Sequence, residues 1–397
     1  MKGIWVRGLR PGMVFSKPVY IDKNNLLVKA YEPITEADIN RLVKWGIREV
    51  YCDGELVTQV QIEPTQQVSP EEEILVENVK KGIKQTVKQR SSLDQLFGNG
   101  GKTLQSVYEY LAKDTVTQIS PVRDLAEKII TTIDSQIGLV IYVLEYLKEP
   151  NLYRHAIANG ILATILGRGL NFSIPKMIEI IFSILLMDVG MLKISAYQNK
   201  KEDSLTAQEK YEVQKHTLLG YQILTGVAKI KANLAEVALQ HHEHYDGSGY
   251  PRKIKGKDMS EASRLASIVD SYTAMIEHKP YRKAKLPYEA IRELLTLGLY
   301  RYDPVYLKTF VDRLSMYPLG SVVELSNRSV GIVVASSPGK PIRPVVLAVR
   351  SDLETPFPKA RIEPLAFRPE LFITRALEPS VIRLSVAEEL EKAAQQF

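Results

Sequence analysis

His241-His242-Glu243-His244-Tyr245-Asp246-Gly247-Ser248-Gly249-Tyr250-Pro251 sets two adjacent imidazoles directly before a turn. The chain has six histidines, His155, His216, His241, His242, His244 and His278, with none before residue 155 and none after 278. That distribution points to one site in one central domain. Asp246-Gly247 and Ser248-Gly249 are turn dipeptides whose glycines permit positive φ, and Tyr250-Pro251 restricts the exit to extended backbone. Two neighbouring imidazoles shut into a dry core would be costly, so the pair is expected at the lip of a pocket.

Neutral imidazole is the commonest protein metal ligand, and carboxylates complete such sites for iron, manganese or zinc. Two carboxylates are embedded in apolar sequence. Asp188 follows the run Ile180-Ile181-Phe182-Ser183-Ile184-Leu185-Leu186-Met187, and Asp270 follows Ile268-Val269 in a helical pattern that continues through Tyr272, Ala274 and Met275. Buried, each needs a cation or strong donors. His155 also lies in an apolar helical pattern, with Leu162 and Ile165 in phase. Alone it reads as a core residue; its place in an ordered series of potential ligands reverses that. His278, before Lys279-Pro280, reads as exposed.

The order His155, Asp188, His216, His241-His242, Gly249-Tyr250-Pro251, Asp270 resembles the HD-GYP family of metal-dependent phosphohydrolases over roughly residues 121–315. Lys215-His216 before Gly220-Tyr221-Gln222-Ile223-Leu224, and Pro280-Tyr281-Arg282-Lys283-Ala284, resemble further family segments. The resemblance implies an all-helical HD bundle that holds two or three divalent metal ions, usually iron or manganese, and hydrolyses cyclic di-GMP. Carried over, one metal takes Asp188, His216, His241 and His242. Its neighbour takes His155, Asp188 and Asp270, so that Asp188 bridges. Two such cations can polarise a phosphodiester and activate water at neutral pH. Gly249, Tyr250, Pro251, Arg252 and Arg282 fall where substrate would be held.

The departures concentrate at the chemistry. The family signature reads His-Asp, two residues, then Lys, whereas this chain reads Met187-Asp188-Val189-Gly190-Met191. Met187 offers a soft thioether that harder iron or manganese binds poorly, leaving one site less well formed than the other. Met191 replaces a lysine that faces the substrate phosphate in the family, with Lys193 as the partial catalytic substitute. Asn151 stands where members with a third metal carry glutamate, and Thr273 stands where an aspartate follows the last ligand. The expected centre is eroded.

Length and composition set the outer bounds. At 397 residues the chain suits two or three domains. One cysteine, Cys52, excludes an internal disulfide and suits a reducing cytoplasm. The apolar stretch at the amino terminus is too short for a signal peptide, and the longest apolar runs fall short of the ~20 residues of a membrane span. Net charge +6 is modest and dispersed. Arg252, Lys253, Lys255, Lys257, Arg282, Lys283 and Lys285 form the one local concentration, read either as a receiver of dinucleotide phosphates or as a solvated loop. Without interleaved aromatics, nucleic acid is not expected.

The expected fold class is mainly α: a helical HD-type bundle with a small N-terminal α+β module and a small C-terminal β meander. Residues 1–60 form the module, with strands at Met13-Val14-Phe15, Val19-Tyr20-Ile21 and Leu26-Leu27-Val28, a turn at Lys23-Asn24-Asn25, a helix opened by Thr35 and Asp38 and stopped at Gly46, and a closing strand over 48–51. Residues 61–70 read as a linker, 71–120 as connecting helices, and 121–315 as the HD-GYP domain. Gly98 to Gly101 read as a turn, and Gly101-Lys102-Thr103 as part of it, because Leu96 occupies the position where a phosphate-binding loop needs glycine. Residues 316–397 read as a meander (Ser321 to Leu325, Val330 to Ala335, Val345 to Val349) and a terminal helix capped by Ser385.

Three functions are compatible with this pattern. One is a slow cyclic di-GMP phosphodiesterase. Another is a module that binds cyclic di-GMP or a related nucleotide and signals by occupancy, in a cytoplasmic protein. The weakest is a scaffold that docks diguanylate cyclases or other signalling proteins, and a homodimer is left open.

Overall fold

The computed structural model describes residues 2–10, 13–22, 26–28, 34–56, 69–135, 137–149, 151–195, 206–279 and 282–397. The turn expected at Lys23-Asn24-Asn25, the linker over 61–68 and Pro280-Tyr281 lie outside them. The chain divides into two compact units, 1–70 and 71–397.

In the first unit β1 (Lys2–Trp5), β2 (Val19–Tyr20), β3 (Leu26–Val28) and β4 (Glu49–Cys52) form an antiparallel sheet in the order β1-β4-β2-β3. Helix α1 (Glu36–Lys44) opens with a reciprocal cap: Thr35 N–H donates to Asp38 Oδ2 at 3.1 Å and Asp38 N–H donates to Thr35 Oγ1 at 3.1 Å. Gly46 ends it at φ +71°. Val6, Phe15, Val19, Ile34, Leu42, Val50 and Cys52 make the small core. The strand expected at Met13-Val14-Phe15 reduces to a bridge between Phe15 and Leu56, and β1 is an addition to the expected set.

The second unit opens with α2 (Pro70–Lys88), whose first turn carries Glu71, Glu72 and Glu73 where the helix dipole favours them. Next come α3 (Arg90–Gln95), α4 (Gly101–Ala112), α5 (Ser120–Ser135) and the short α6 (Val143–Tyr146). The turn expected at Gly98 to Gly101 is corrected: Leu96–Gly100 is a wide helical turn running straight into α4, and Gly100 keeps right-handed helical angles. Its glycine serves packing, since a Cβ there would lie 2.7 Å from Leu125 Cδ1 on α5.

The bundle proper consists of α7 (Leu152–Gly169), α8 (Ile174–Leu186), α9 (Ala207–Gln214), α10 (His216–Gly226), α11 (Ala232–Gln240), α12 (Glu261–Ile276), α13 (Pro287–Arg301) and α14 (Pro304–Leu314). Leu125, Ile129, Ile130 and Ile133 of α5, which share one face by spacing, are all buried. So is nearly every residue of α7 and the second half of α8. These two helices are apolar all round because neighbours cover every side.

A second antiparallel sheet, ordered β8-β7-β6-β5-β9, follows: β5 (Val322–Leu325), β6 (Val330–Ala335), β7 (Val345–Arg350), β8 (Pro356–Pro364) and β9 (Ile373–Leu377). One face, with Val322, Ile332, Val334, Val345 and Leu347, joins the bundle's apolar core. The other, with Val323, Val333 and Val346, packs on Leu365 and Leu371. Helix α15 (Val386–Gln396) starts from a capping box of Ser385 and Glu388 and buries Val386, Ala387, Leu390 and Ala393 in the bundle core. The fold is therefore mainly helical, with one small sheet near each end of the sequence.

Candidate metal centre

Five segments bring the expected residues together. His155 sits in the first turns of α7, where Asn151 caps the helix by accepting from Tyr153 N–H at 3.1 Å and Arg154 N–H at 2.9 Å. The asparagine that stands where members with a third metal carry glutamate thus serves as a helix cap. Asp188 follows Met187 at the end of α8 and begins the single-turn helix Val189–Lys193. That turn lies hard against the start of α10: a Cβ at Gly190 would sit 2.1 Å from the His216 carbonyl oxygen, so only glycine lets Asp188 approach His216 this closely.

His216 and His241 are held in the same tautomer by the same device. The Nδ1 of His216 lies 2.6 Å from Val213 O, and the Nδ1 of His241 lies 3.0 Å from both Val237 O and Ala238 O. A carbonyl can only accept, so each Nδ1 carries the proton and each Nε2 presents its lone pair. The two Nε2 atoms face each other at 3.1 Å, and each is 3.6 Å from Asp188 Oδ1. Lone pairs so placed repel unless a proton or a cation lies between them. An N···N separation of about 3.0–3.4 Å is also the edge of a coordination polyhedron with metal–nitrogen bonds of ~2.1 Å.

Two groups of potential ligands result. His216, His241 and His242 have ligand atoms all within 4.8 Å of one another, and so do His155, Asp188 and Asp270. His155 Nε2 lies 2.8 Å from Asp270 Oδ1, and His242 Nδ1 lies 4.0 Å from Asp270 Oδ2. The donor set, imidazole nitrogen and carboxylate oxygen in a nearly dry site with fixed tautomers, fits a divalent metal. All six residues expected as ligands are therefore brought together.

The electrostatics match a site built for positive charge. Burial acts against ionisation of Asp188, yet His241 and His216 outweigh it and hold this carboxyl well below the usual range. Asp270, opposed by burial but hydrogen-bonded to His155, falls to about 2. Burial would lower His155, but Asp270 and Glu277 push it up to about 10. Burial, then His241, keep His242 well below its ordinary range, so that imidazole stays neutral and ready to ligate.

The quoted turn forms the lip. His242 stacks on Tyr250 with ring centroids 4.9 Å apart and planes 26° apart. Gly247 takes φ +82°, whereas Gly249 is needed for space, since a Cβ there would lie 2.4 Å from His244 N. The Tyr250-Pro251 peptide is cis. Glu243, fully buried, accepts from Arg252 N–H at 2.6 Å and Lys253 N–H at 3.0 Å, so the carboxylate beside the histidine pair fixes the far side of the loop.

Other expected residues are placed differently. Lys193, expected as a partial substitute for the phosphate-facing lysine, has its ammonium 2.7 and 2.8 Å from the two carboxylate oxygens of Asp114. Met191 packs against the apolar core. The Arg282 guanidinium donates to Ala274 O at 2.5 Å, near the end of α12, while the Arg252 side chain is exposed beside the lip. Two residues that sequence reasoning missed touch the centre: Asn159, one turn beyond His155, donates to Asp270 Oδ1 at 3.3 Å, and Glu277 Oε2 lies 3.2 Å from His155 Nδ1. Asn159 was findable from its i+4 spacing; nothing in the sequence singles out Glu277.

Residues 143–305 match the family described as HD domain. A cyclic di-GMP phosphodiesterase of Pseudomonas aeruginosa is 30% identical over 182 residues, covering 46% of this chain and 44% of that protein. Another, of Thermotoga maritima, is 31% identical over 190 residues, covering 47% of this chain and 52% of that protein. Among solved structures, an HDG"Y"P protein from Bdellovibrio bacteriovorus is similar at 18% identity and TM-score 0.49, over 78% of this chain and 98% of that chain. The chain spans about half the length of the curated relatives it matches. No single described helix is long and apolar enough to cross a membrane.

Proposed function

We propose, from the premise that this chain belongs to the HD-GYP family of HD-domain phosphohydrolases, that its centre binds divalent metal and a cyclic dinucleotide of the cyclic di-GMP type, and hydrolyses it weakly or not at all. His216, His241, His242 and Asp188 would hold one ion, and His155, Asp188 and Asp270 the other, with iron or manganese suited to the nitrogen and oxygen donors. Ions bound there supply Lewis-acid polarisation of a phosphodiester oxygen and lower the pKa of water.

The observation that carries the weak turnover is Met187. It is fully buried in the apolar core directly before Asp188, the carboxylate that on this reading would serve both ions, so the position next to Asp188 brings no imidazole to the metal. The protein's own residues divide the remaining work. Asp188 orients both groups, the backbone carbonyls of Val213 and Val237 fix the imidazoles, and Tyr250 closes the lip over His242. Gly249, Pro251 and the exposed Arg252 offer the surface a phosphate would meet.

A second reading is favoured by Met191 and Lys193. One is half-buried against the apolar core and the other is paired with Asp114, so neither expected position supplies a cation to a substrate phosphate. On that reading the module binds nucleotide or a partner such as a diguanylate cyclase, and signals by occupancy.

Metal content of the purified protein and a hydrolysis time course with cyclic di-GMP test both. Met187→His combined with Met191→Lys is expected to raise bound metal and to raise turnover by about 10²–10³, the usual effect of one transition-state donor. A parent as active as the double variant would overturn the weak-turnover reading. Tight binding of intact cyclic di-GMP, with no hydrolysis in either protein, would select the occupancy reading.

A further inference from the structure

Glu277 follows the last turn of α12, and its side chain is only 1% exposed. Its Oε2 lies 3.2 Å from His155 Nδ1 and 2.5 Å from Lys279 Nζ, while the same imidazole's Nε2 lies 2.8 Å from Asp270 Oδ1. An imidazole that offers Nε2 to a cation must keep its proton on Nδ1. A carboxylate on that side holds the tautomer, sets the ring's orientation and raises the ligand's basicity. A buried carboxylate without countercharge would be costly, and Lys279 supplies the countercharge two residues on.

One turn upstream on α12, Thr273 is fully buried and its hydroxyl oxygen has no hydrogen-bond partner among the described residues. Positions four apart on a helix lie one above the other. The place where the sequence resemblance leads one to expect an acid thus holds a hydroxyl with nothing to bind. The acid that reaches the ring comes from the next turn.

We propose that Glu277 is a positioning residue for His155: a carboxylate displaced by one helical turn from Thr273, which presents the His155 Nε2 to a metal held with Asp188 and Asp270. The proposal rests on the reading that the centre binds metal. It also implies that the group of His155, Asp188 and Asp270 is supported by a contact made nowhere in the ligand series itself.

The test uses the full chain and Mn²⁺ titrations of the parent, Glu277→Gln, and Glu277→Gln combined with Thr273→Asp. The parent is expected to show two classes of site. In Glu277→Gln one class of site loses about 10–100-fold in affinity, the usual effect of removing such a partner, and the other class is unchanged. Thr273→Asp restores most of the loss. If the parent binds no Mn²⁺, the metal reading itself fails; if it binds and Glu277→Gln matches it in both classes, only the positioning role fails. Should the Gln variant not fold, the parent decides by NMR of ¹⁵N-histidine-labelled protein loaded with diamagnetic Zn²⁺. The signal assigned through its loss in His155→Ala must report a protonated Nδ1 and a ligated Nε2, and the opposite tautomer would overturn the proposal.

Discussion

At the scale of single residues, the approach of Asp188 to His216 depends on the missing side chain of Gly190. A methyl group there would lie 2.1 Å from one backbone atom and 2.6 Å from a second, Gly220 N, and neither can move without displacing α10. Gly190→Ala should therefore cost at least the roughly 1–3 kcal/mol typical of overpacking, and should lower metal content by displacing Asp188. Gly82→Ala is the matched control. Gly82 lies inside α2 with nothing within 4 Å of its Cβ position, so the change should stabilise by about 0.5–1 kcal/mol. Urea unfolding of both variants checks the pair; equal effects would mean that the close approach at Gly190 is not real. Such contacts explain which parts of the site are legible in a sequence. The six candidate ligand positions are, because rare histidines and acids in apolar runs stand out. Glu277 is not: it is one of 46 acidic residues, and only folding brings the end of α12 to the start of α7.

At the scale of elements, the three strands that sequence patterning overlooked share a property. β1, β8 and β9 are all edges of their sheets. An edge strand is half solvated, so it tolerates charge and proline, and its apolar alternation fades. β8 begins and ends with proline and is exposed or half-buried over most of its length, whereas β6 and β7 are buried almost throughout and were plain in the sequence. Helix ends were the most legible features, because caps are local chemistry: Thr35, Pro70 and Ser385 all start helices as their neighbours suggest. Asn151 belongs to this class. Asn151→Ala should lower stability by about 1 kcal/mol through loss of two capping hydrogen bonds, with metal stoichiometry unchanged. A fall in bound metal larger than the loss of folded protein would instead make Asn151 a ligand. The glycine-rich stretch before α4 misled for a related reason, since local composition marks a turn while the close approach of Leu125 requires glycine within a helix.

At the scale of the whole molecule, metal binding at the proposed centre would couple protons to folding. The His155 imidazole, opposed by burial but held by Asp270 and Glu277, rises from 6.5 to about 10. In chelator-stripped protein this raised group contributes stability that is complete below about pH 6.5 and disappears as pH climbs through about 10. The lowered carboxyls of Asp188 and Asp270 act in the opposite sense: their contribution is present above the ordinary carboxylate range and is lost as pH falls through their depressed values. On these groups the stripped protein is best off in mildly acidic buffer. Metal reverses the trend, because ligation through His155 Nε2 requires its extra proton to leave. At a fixed excess of free Mn²⁺, apparent affinity should climb by up to tenfold per pH unit. Ligand stabilisation would then grow by about 1.4 kcal/mol per unit, or about 2.7 kcal/mol between pH 6 and 8. Thermal unfolding with and without Mn²⁺ measures this as a gap in Tm that widens with pH. In His155→Ala the widening should shrink, and a gap of constant width in the parent would show that His155 gives up no proton to bind metal.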